Sequence, residues 1–245
     1  MNKYILIAFS LLFSLSISEF SAQNQTDSKG KKQGVWVKYA ADGKTPLYKG
    51  TFKDGKPTGK FFYFYPNGET SSILEHVGGG KAKCRMYHEN GNVMAVGNYL
   101  NQQKDSTWWY FNSSKMVLNQ ENYANGQKEG YFLQYLPSYS KTPQIIEEKF
   151  FRNGKEEGAW KQYYKNGQVK LAATYKLGLL AGKCTWYSAS GTVELVGYYK
   201  DGLKNGWWKE KVVDGEVKKY YFRDSELTGE RLEKHLEIVK KNQTK

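Results

Sequence analysis

The sequence predicts an elongated all-β array of antiparallel hairpins closed by a short C-terminal helix. Three observations predict it: a self-similar period of about 24 residues, paired turn signals in most periods, and aromatic columns in fixed phase between the turns. A short internal period is the mark of a stacked repeat architecture. Each unit contacts only its neighbours, and stability accumulates along the stack.

One glycine per unit sets the register. Gly34, Gly59, Gly130, Gly158, Gly182 and Gly206 are these anchors, and Ala82 and Ser106 fill the slot in two weaker copies. The steps between them are 25, 23, 24, 24, 28, 24 and 24 residues. Two positions after the anchor stands an apolar residue in every unit: Trp36, Phe61, Cys84, Trp108, Phe132, Trp160, Cys184 and Trp208. Five positions after it stands an aromatic (Tyr39, Phe64, Tyr87, Phe111, Tyr135, Tyr163, Tyr187), a column broken by Lys211.

The turns come next. Asp42-Gly43, Asn67-Gly68, Asn90-Gly91, Asn166-Gly167, Ser190-Gly191 and Asp214-Gly215 mark a first turn, and Asp54-Gly55, Asn125-Gly126, Asn153-Gly154 and Asp201-Gly202 a second. Such pairs supply the positive φ that tight hairpins need. The segments between them are rich in Tyr, Phe, Trp and Val, which favour strands. Each unit reads as strand, turn, strand, turn, giving about sixteen strands and roughly 77 Å of array if straight. The second strand alternates cleanly: Leu195, Gly197 and Tyr199 share a face, as do Leu171, Ala173 and Tyr175. A small residue beside an aromatic points to a ring lying over bare backbone. The first strand is less regular, because positions two and five after the anchor fall on opposite faces of a flat strand. Either both faces are partly covered, or a bulge near the anchor realigns them.

The segment Tyr48 to Gly59, YKGTFKDGKPTG, resembles the MORN repeat, whose core is Y-x-G-x-[WF]-x-[DN]-G-x-x-x-G. Val196 to Gly206 is similar without the leading Tyr, and Gly158 to Gln168 resembles the bacterial variant of that repeat. Proteins built from the variant include those labelled YwqK-family antitoxins. The resemblance covers Gly34 to Gly229 and departs in the third and fourth units, which lack anchor glycines, and in the fifth, which carries an insertion.

The ends divide the chain further. Met1–Gln23 has a charged start, an apolar run from Tyr4 to Ile17 and a small-residue exit, the pattern of a secretory signal peptide. That run is shorter than the roughly 20 residues needed to span a bilayer. The chain is therefore expected in the periplasm or outside the cell, not in a membrane. Residues 24–33 are polar and read as a flexible linker, 34–229 as the array, and 230–245 as an amphipathic helix and tail. In that helix Leu232, Leu236 and Val239 share a stripe suited to lie on the last hairpin.

An exported protein with two cysteines invites a disulfide. Cys84 and Cys184 occupy the same slot four units apart, which places them roughly 40 Å apart in an extended array. A disulfide needs Cα atoms within about 7 Å. Two buried free thiols are expected instead.

No catalytic constellation, metal spacing or cofactor motif emerges, so the expectation is a non-enzyme without cofactors. His76, His88 and His235 fall in unrelated repeat positions. Glu147-Glu148 and Glu156-Glu157 read as polar shoulders of a hairpin, and Gly78-Gly79-Gly80-Lys81 lacks the rest of a phosphate loop. Net charge is +13, yet arginine occurs only at Arg85, Arg152, Arg223 and Arg231. Specific phosphate and base recognition leans on Arg, and export also argues against nucleic acid. Lysines spread along every unit protect exposed strands from stray pairing.

The reading that follows is an exported binding scaffold that engages a protein, with antitoxin-like neutralisation implied by the resemblance. Attachment to the envelope through anionic lipid, or through wall glycan or choline, is the alternative. WWYF at Trp108 to Phe111 resembles the aromatic run of choline-binding repeats. Candidate contact residues lie where the period fails: Leu136, Pro137, Tyr139 and Pro143 in the insertion Leu136–Gln144, and Trp207 and Trp208 near the end.

Overall fold

A computed structural model describes residues 23–243, so the expected signal peptide lies outside the described residues save for Gln23. The described chain is a meander of 21 antiparallel strands followed by one helix, Gly229–Gln243. Each strand pairs with its sequence neighbours, from Gln25–Thr26 at one end to Ser225–Leu227 at the other. The all-β hairpin array expected from the period is what forms. Twenty-one strands replace sixteen for two reasons. Short strands close both ends, and three anchor strands are interrupted at Glu129, Ala181 and Asn205, just before their glycines.

The two turns of each unit have different chemistry. At the second turn both central residues have positive φ, as at Asp54-Gly55 (51° and 78°), Asn153-Gly154 (49° and 76°) and Asp201-Gly202 (52° and 82°). These are two-residue turns whose twist matches the strands. At the first turn only the glycine is left-handed, as at Gly68 (87°) and Gly167 (84°). Its N–H donates to the carbonyl three residues back, Gly68 to Tyr65 and Gly167 to Tyr164, each at 2.9 Å. The residue that supplies that carbonyl closes the loop with its own N–H: Tyr65 to Glu69 and Tyr164 to Gln168, both 2.8 Å. This is a three-residue loop built on a type I turn with a left-handed bulge residue. In the fifth unit the same closing bond, Leu136 N–H to Gln144 O at 2.8 Å, spans the insertion.

Bulges at two places in most units explain the irregular first strand. Near the first turn the register shifts by one residue between positions four and five after the anchor, as at Lys38/Tyr39, Tyr110/Phe111 and Trp186/Tyr187. Around the anchor the shift is larger. Val96 pairs with Trp109 and Asn98 with Asp105, so three residues oppose Gly97 alone. The same pattern surrounds Gly59 and Gly158. The anchors at Gly34, Gly59, Gly158 and Gly206 have φ of 67°, 63°, 73° and 84°, and Ser106 adopts 59° in their place. Both readings left open by the sequence therefore hold: there is a bulge at the anchor, and both faces are partly covered.

The core lies on one face, between units rather than within them. At Phe61, Trp108 and Trp208 the ring two after the anchor lies over the second strand of the preceding unit. A Cβ added to Gly50 would stand 2.3 Å from Phe61, one on Gly97 2.2 Å from Trp108, and one on Gly197 2.1 Å from Trp208. Where the residue in place of that glycine is a larger apolar one, the ring is replaced by a thiol. Leu74 precedes Cys84 in one cluster, and Ala173 precedes Cys184 in another. Trp108 and Cys184 are the largest fully buried side chains.

Bonds between units tie both edges. At the second-turn edge a backbone N–H donates to the carbonyl of the residue two before the preceding anchor: Gly55 to Lys32 (2.9 Å), Gly126 to Lys104 (3.0 Å), Gly202 to Leu180 (2.9 Å) and Asp224 to Lys204 (3.1 Å). At the first-turn edge the donors are side chains, such as Tyr65 Oη to Tyr87 O (2.6 Å) and Asn166 Nδ2 to Ala189 O (2.8 Å).

The ends are closed. Residues 24–33, expected to be a flexible linker, fold back instead. Gln25–Thr26 pairs with Lys32 and Gln33, and the Asn24 side chain bonds both the N–H and the carbonyl of Val37 at 2.9 and 3.0 Å. A side-chain amide can act as one more strand residue because it carries the same donor and acceptor pair as a peptide. At the other end His235 of the helix packs on Tyr220 and Phe222 at 5.5 and 4.6 Å. Leu232, Leu236 and Val239 are half-buried beside it.

These features have measurable consequences. Gly197→Ala forces a methyl into the Trp208 ring and is expected to lower stability by roughly 1–3 kcal/mol in urea denaturation. Leu177 has φ 52° and is 67% exposed, in a turn where most other units carry Asn or Asp. Leu177→Asn is expected to raise stability by roughly 1 kcal/mol, because Leu bears a left-handed penalty that Asn largely escapes. Burial pushes the thiols up, to about 11 at Cys84 and about 12 at Cys184. Both should resist alkylation at pH 8 in the native protein and react fully in denaturant, and peptide mapping should find no bond between them.

Candidate functional site

Most of the core face is filled by the chain itself, and a hollow of 700 Å3 remains beside Trp186, Leu195 and Glu210. In four units the residue two before the anchor is lysine, and the bend at the anchor carries its ammonium back over the ring two after it. Lys32 lies 4.4 Å from the Trp36 centroid, Lys104 4.6 Å from Trp108, Lys128 5.0 Å from Phe132 and Lys204 4.6 Å from Trp208. A second aromatic completes each cage: Phe52 at 4.8 Å, Tyr123 at 5.0 Å, Phe151 at 5.2 Å and Tyr221 at 5.0 Å. Contacts of this kind are worth about 2 kcal/mol or more when desolvated and about 0.5–1 kcal/mol when exposed.

One polar cluster is buried on this face. Glu121, 9% exposed, accepts from Tyr123 Oη and from Lys128 Nζ at 3.0 Å, while Lys104 Nζ donates to Tyr110 Oη at 2.7 Å. Burial alone would raise the Glu121 carboxyl, but the bonds from Tyr123 and Lys128 outweigh it and hold it below the ordinary value. Burial pulls Lys104 down, the Glu121 carboxylate partly restores it, and Lys128 lowers it again. Tyr123 is pushed up to about 12 by burial and by Glu121. These bonds tie the cluster's members to one another.

The other polar candidates are also structural. Glu147 and Glu148 point to opposite faces. Glu147 accepts from Trp160 Nε1 at 2.7 Å, and Glu148 accepts from Tyr163 Oη at 2.8 Å. His76 packs edge-on against Phe61 at 5.1 Å, and burial lowers its pKa. His88 Nε2 bonds Phe111 O at 3.0 Å. Gly78, Gly79 and Gly80 all have positive φ and form a turn. Among the described residues no group of three or more His, Cys, Asp or Glu is placed to hold a metal.

The opposite, outer face carries residues one, three and five after each anchor, and it is filled in places, as at Val37, Tyr135 and Thr185, and open in others. Across the second to fourth units it forms a groove of 430 Å3 lined by Lys60, Ile73, Lys83, Arg85, Val96 and Trp109, with Glu75 and Tyr87 beside them. A second hollow of 490 Å3 continues it past Val93, Phe111 and Lys115, and the two share Arg85 and Val96. Ile73, Val96, Trp109 and Phe111 are half-buried, whereas Lys60, Lys83, Arg85 and Lys115 are exposed. Trp109 is held from below by stacking on Tyr135, centroids 6.1 Å apart.

The profile of the MORN repeat variant matches residues 82–101 and 156–177. These segments are MORN-variant repeats. The first match is the degenerate third unit, which forms the centre of the outer groove, and the second is the sixth unit with its anchor Gly158. Both segments are hairpins, and the first keeps that form with Ala82 at the anchor position. No curated protein matches the chain. A solved structure titled "Crystal Structure of TcdB2-TccC3-Cdc42" is similar over 80% of this chain and 13% of that chain, at 10% identity and a TM-score of 0.21. The chain thus spans about an eighth of that neighbour's length, and a score this low aligns neither fold nor site.

The contact residues expected from the sequence fall in two places. Leu136, Pro137, Tyr139 and Pro143 form the lengthened first turn of the fifth unit. Tyr139 is 81% exposed at its tip, Pro137 is exposed, and Leu136 and Pro143 are half-buried at its base. Gln144 Nε2 anchors that base to Tyr164 O at 3.0 Å. Trp207 is 43% exposed on the outer face and packs on Tyr220 at 5.1 Å. Trp208 is 3% exposed in the core beneath Lys204 and over Gly197, so it offers no surface to a partner. None of these residues lines the outer groove. The groove was hidden in the column three after the anchor, where Phe62, Arg85 and Trp109 stand in successive units. A long cation between two rings was the available signal.

No described helix is long and apolar enough to cross a membrane.

The Glu121 cluster makes a pH prediction. Its folded pKa lies below the ordinary 4.5, so its contribution is present above that value and is lost as pH falls through the lowered one. Glu121→Gln should cost about 1–3 kcal/mol at neutral pH. In urea denaturation the gap between wild type and variant should close between about pH 5 and pH 3.

Proposed function

We propose that the chain is an exported, non-enzymatic scaffold of MORN-variant repeats that holds a protein partner on its outer face. The observation that carries this reading is the division of labour between the faces. The core face is largely occupied by rings, glycines and the chain's own lysines, whereas the outer face over the third and fourth units keeps half-buried apolar side chains beside cations that outnumber the one carboxylate there, Glu75. Half-open apolar floors flanked by charge are the usual form of a protein-contact surface. Antitoxin-like neutralisation is the specific form this engagement takes if the partner is a toxin, in line with the resemblance to YwqK-family proteins of bacteria. Choline capture is disfavoured, because lysine ammonium groups already sit in four of the aromatic cages.

The test is capture from the cell envelope with the chain from Gln23 onward, run beside two variants: Arg85→Glu with Trp109→Ala, and a deletion of 137–143. A protein retained by wild type and lost from either variant supports the scaffold. Recovery of the same set of proteins by all three, or retention on bare lipid or glycan alone, overturns it.

A further inference from the structure

We infer that the outer groove over the second to fourth units takes an acidic, extended peptide segment, with a carboxylate on Arg85 and an apolar side chain on the floor of Val96 and Trp109. This rests on the scaffold reading above and names the partner chemistry and the site within it.

Charge is the first argument. The two hollows are lined by Lys60, Lys83, Arg85 and Lys115 against one carboxylate, Glu75. The ion pairs found elsewhere join Lys128 to Glu121, Lys149 to Glu147, Lys161 to Glu148, Lys218 to Glu216, Lys219 to Glu226 and Lys234 to Glu230. Arg85 has no such partner among the described residues, although it stands opposite Ile73 on one side and Val96 on the other. A guanidinium between two aliphatic residues presents its planar fork to solvent, and that fork matches a carboxylate bidentately.

Shape is the second argument. The hollows share Arg85 and Val96 and so run as one trough across the strands Thr70–Gly78, Lys81–Tyr87, Val93–Leu100 and Gln103–Phe111. Every one of these strands is already paired on both sides. A ligand here has no free strand edge to extend, so it is read through side chains and not by β-addition. Trp109, fixed from below by Tyr135, supplies a rigid apolar wall at little entropic cost. A trough with a row of cations along it and an apolar floor fits a narrow chain of alternating carboxylate and apolar side chains. A bilayer surface is flat and would reach the exposed lysines but not Val96 at the bottom.

The experiment is fluorescence anisotropy with a short fluorescein-labelled peptide rich in Asp and Glu with one central Trp. Controls are the same peptide with Lys at each acidic position, and phosphatidylglycerol vesicles. Binding of the acidic peptide is expected to weaken about tenfold with Arg85→Glu and severalfold with Trp109→Ala, to fall as salt rises, and to be unchanged by deletion of 137–143. Arg85 is exposed, so Arg85→Glu should keep the native circular dichroism and melting profile. Three results would overturn the inference: equal binding of the Lys peptide, indifference of the acidic peptide to Arg85→Glu, or Arg85-dependent binding of vesicles alone. If the groove variants still capture the envelope partner and only the loop deletion loses it, the scaffold stands and the groove assignment falls.

Discussion

A ring lying on bare backbone is the contact on which this array depends. Each unit presents a side chain two residues after its anchor to the second strand of the unit before it, and the distance between the two backbones is fixed by the sheet. The volume available is therefore shared. Gly50, Gly97 and Gly197 give their share to Phe61, Trp108 and Trp208, whereas Leu74 and Ala173 leave room only for Cys84 and Cys184. Where a charged residue takes the slot, it bends away and adds a polar contact: Lys149 lies over Trp160 at 5.4 Å, and Glu121 turns to Lys128. Close packing leaves no slack for mismatched volumes, so neighbouring units must be matched in pairs along the whole chain.

The same constraint shapes the surface. To bring the ring over its neighbour the strand must bulge at the anchor, which is why a left-handed residue recurs there. The bulge folds the preceding residue back, and where that residue is lysine its ammonium closes the aromatic cage. Many of the lysines that give the chain its basic character are simple solvated strand cations, but these four are parts of the core. The face that remains for recognition is the outer one. It forms an open groove across the second to fourth units, in the last two of which Ala82 and Ser106 replace the glycine.

Much of this was legible in the sequence. The 24-residue period set the hairpins, the turn pairs set their ends, and the column two after the anchor set the core. The common slot of Cys84 and Cys184 foretold two separate buried thiols. What stayed hidden depends on relations between units. Trp207 and Trp208 look alike as a pair, but alternation puts one on the outer face and the other under Lys204. The lead-in 24–33 is polar and looks loose, yet the open edge of the strand Lys32–Tyr39 supplies partners that only a folded neighbour can offer. The outer groove draws its lining from strands of three units, so no single period shows it. Turn chemistry was half legible. Asp-Gly and Asn-Gly marked both turns, but the loop length that separates a three-residue from a two-residue turn is set by the bulge beside it.

The matching of volumes between units can be tested by exchanging one pair for the other. Gly97→Leu with Trp108→Cys converts the third and fourth units to the combination found at Leu74 and Cys84. Urea denaturation of wild type, both single variants and the double variant gives their coupling energy. The account predicts a double variant less destabilised than the sum of the singles by more than about 1 kcal/mol. Costs that add to within about 0.5 kcal/mol would contradict it and show that the ring and the glycine contribute independently.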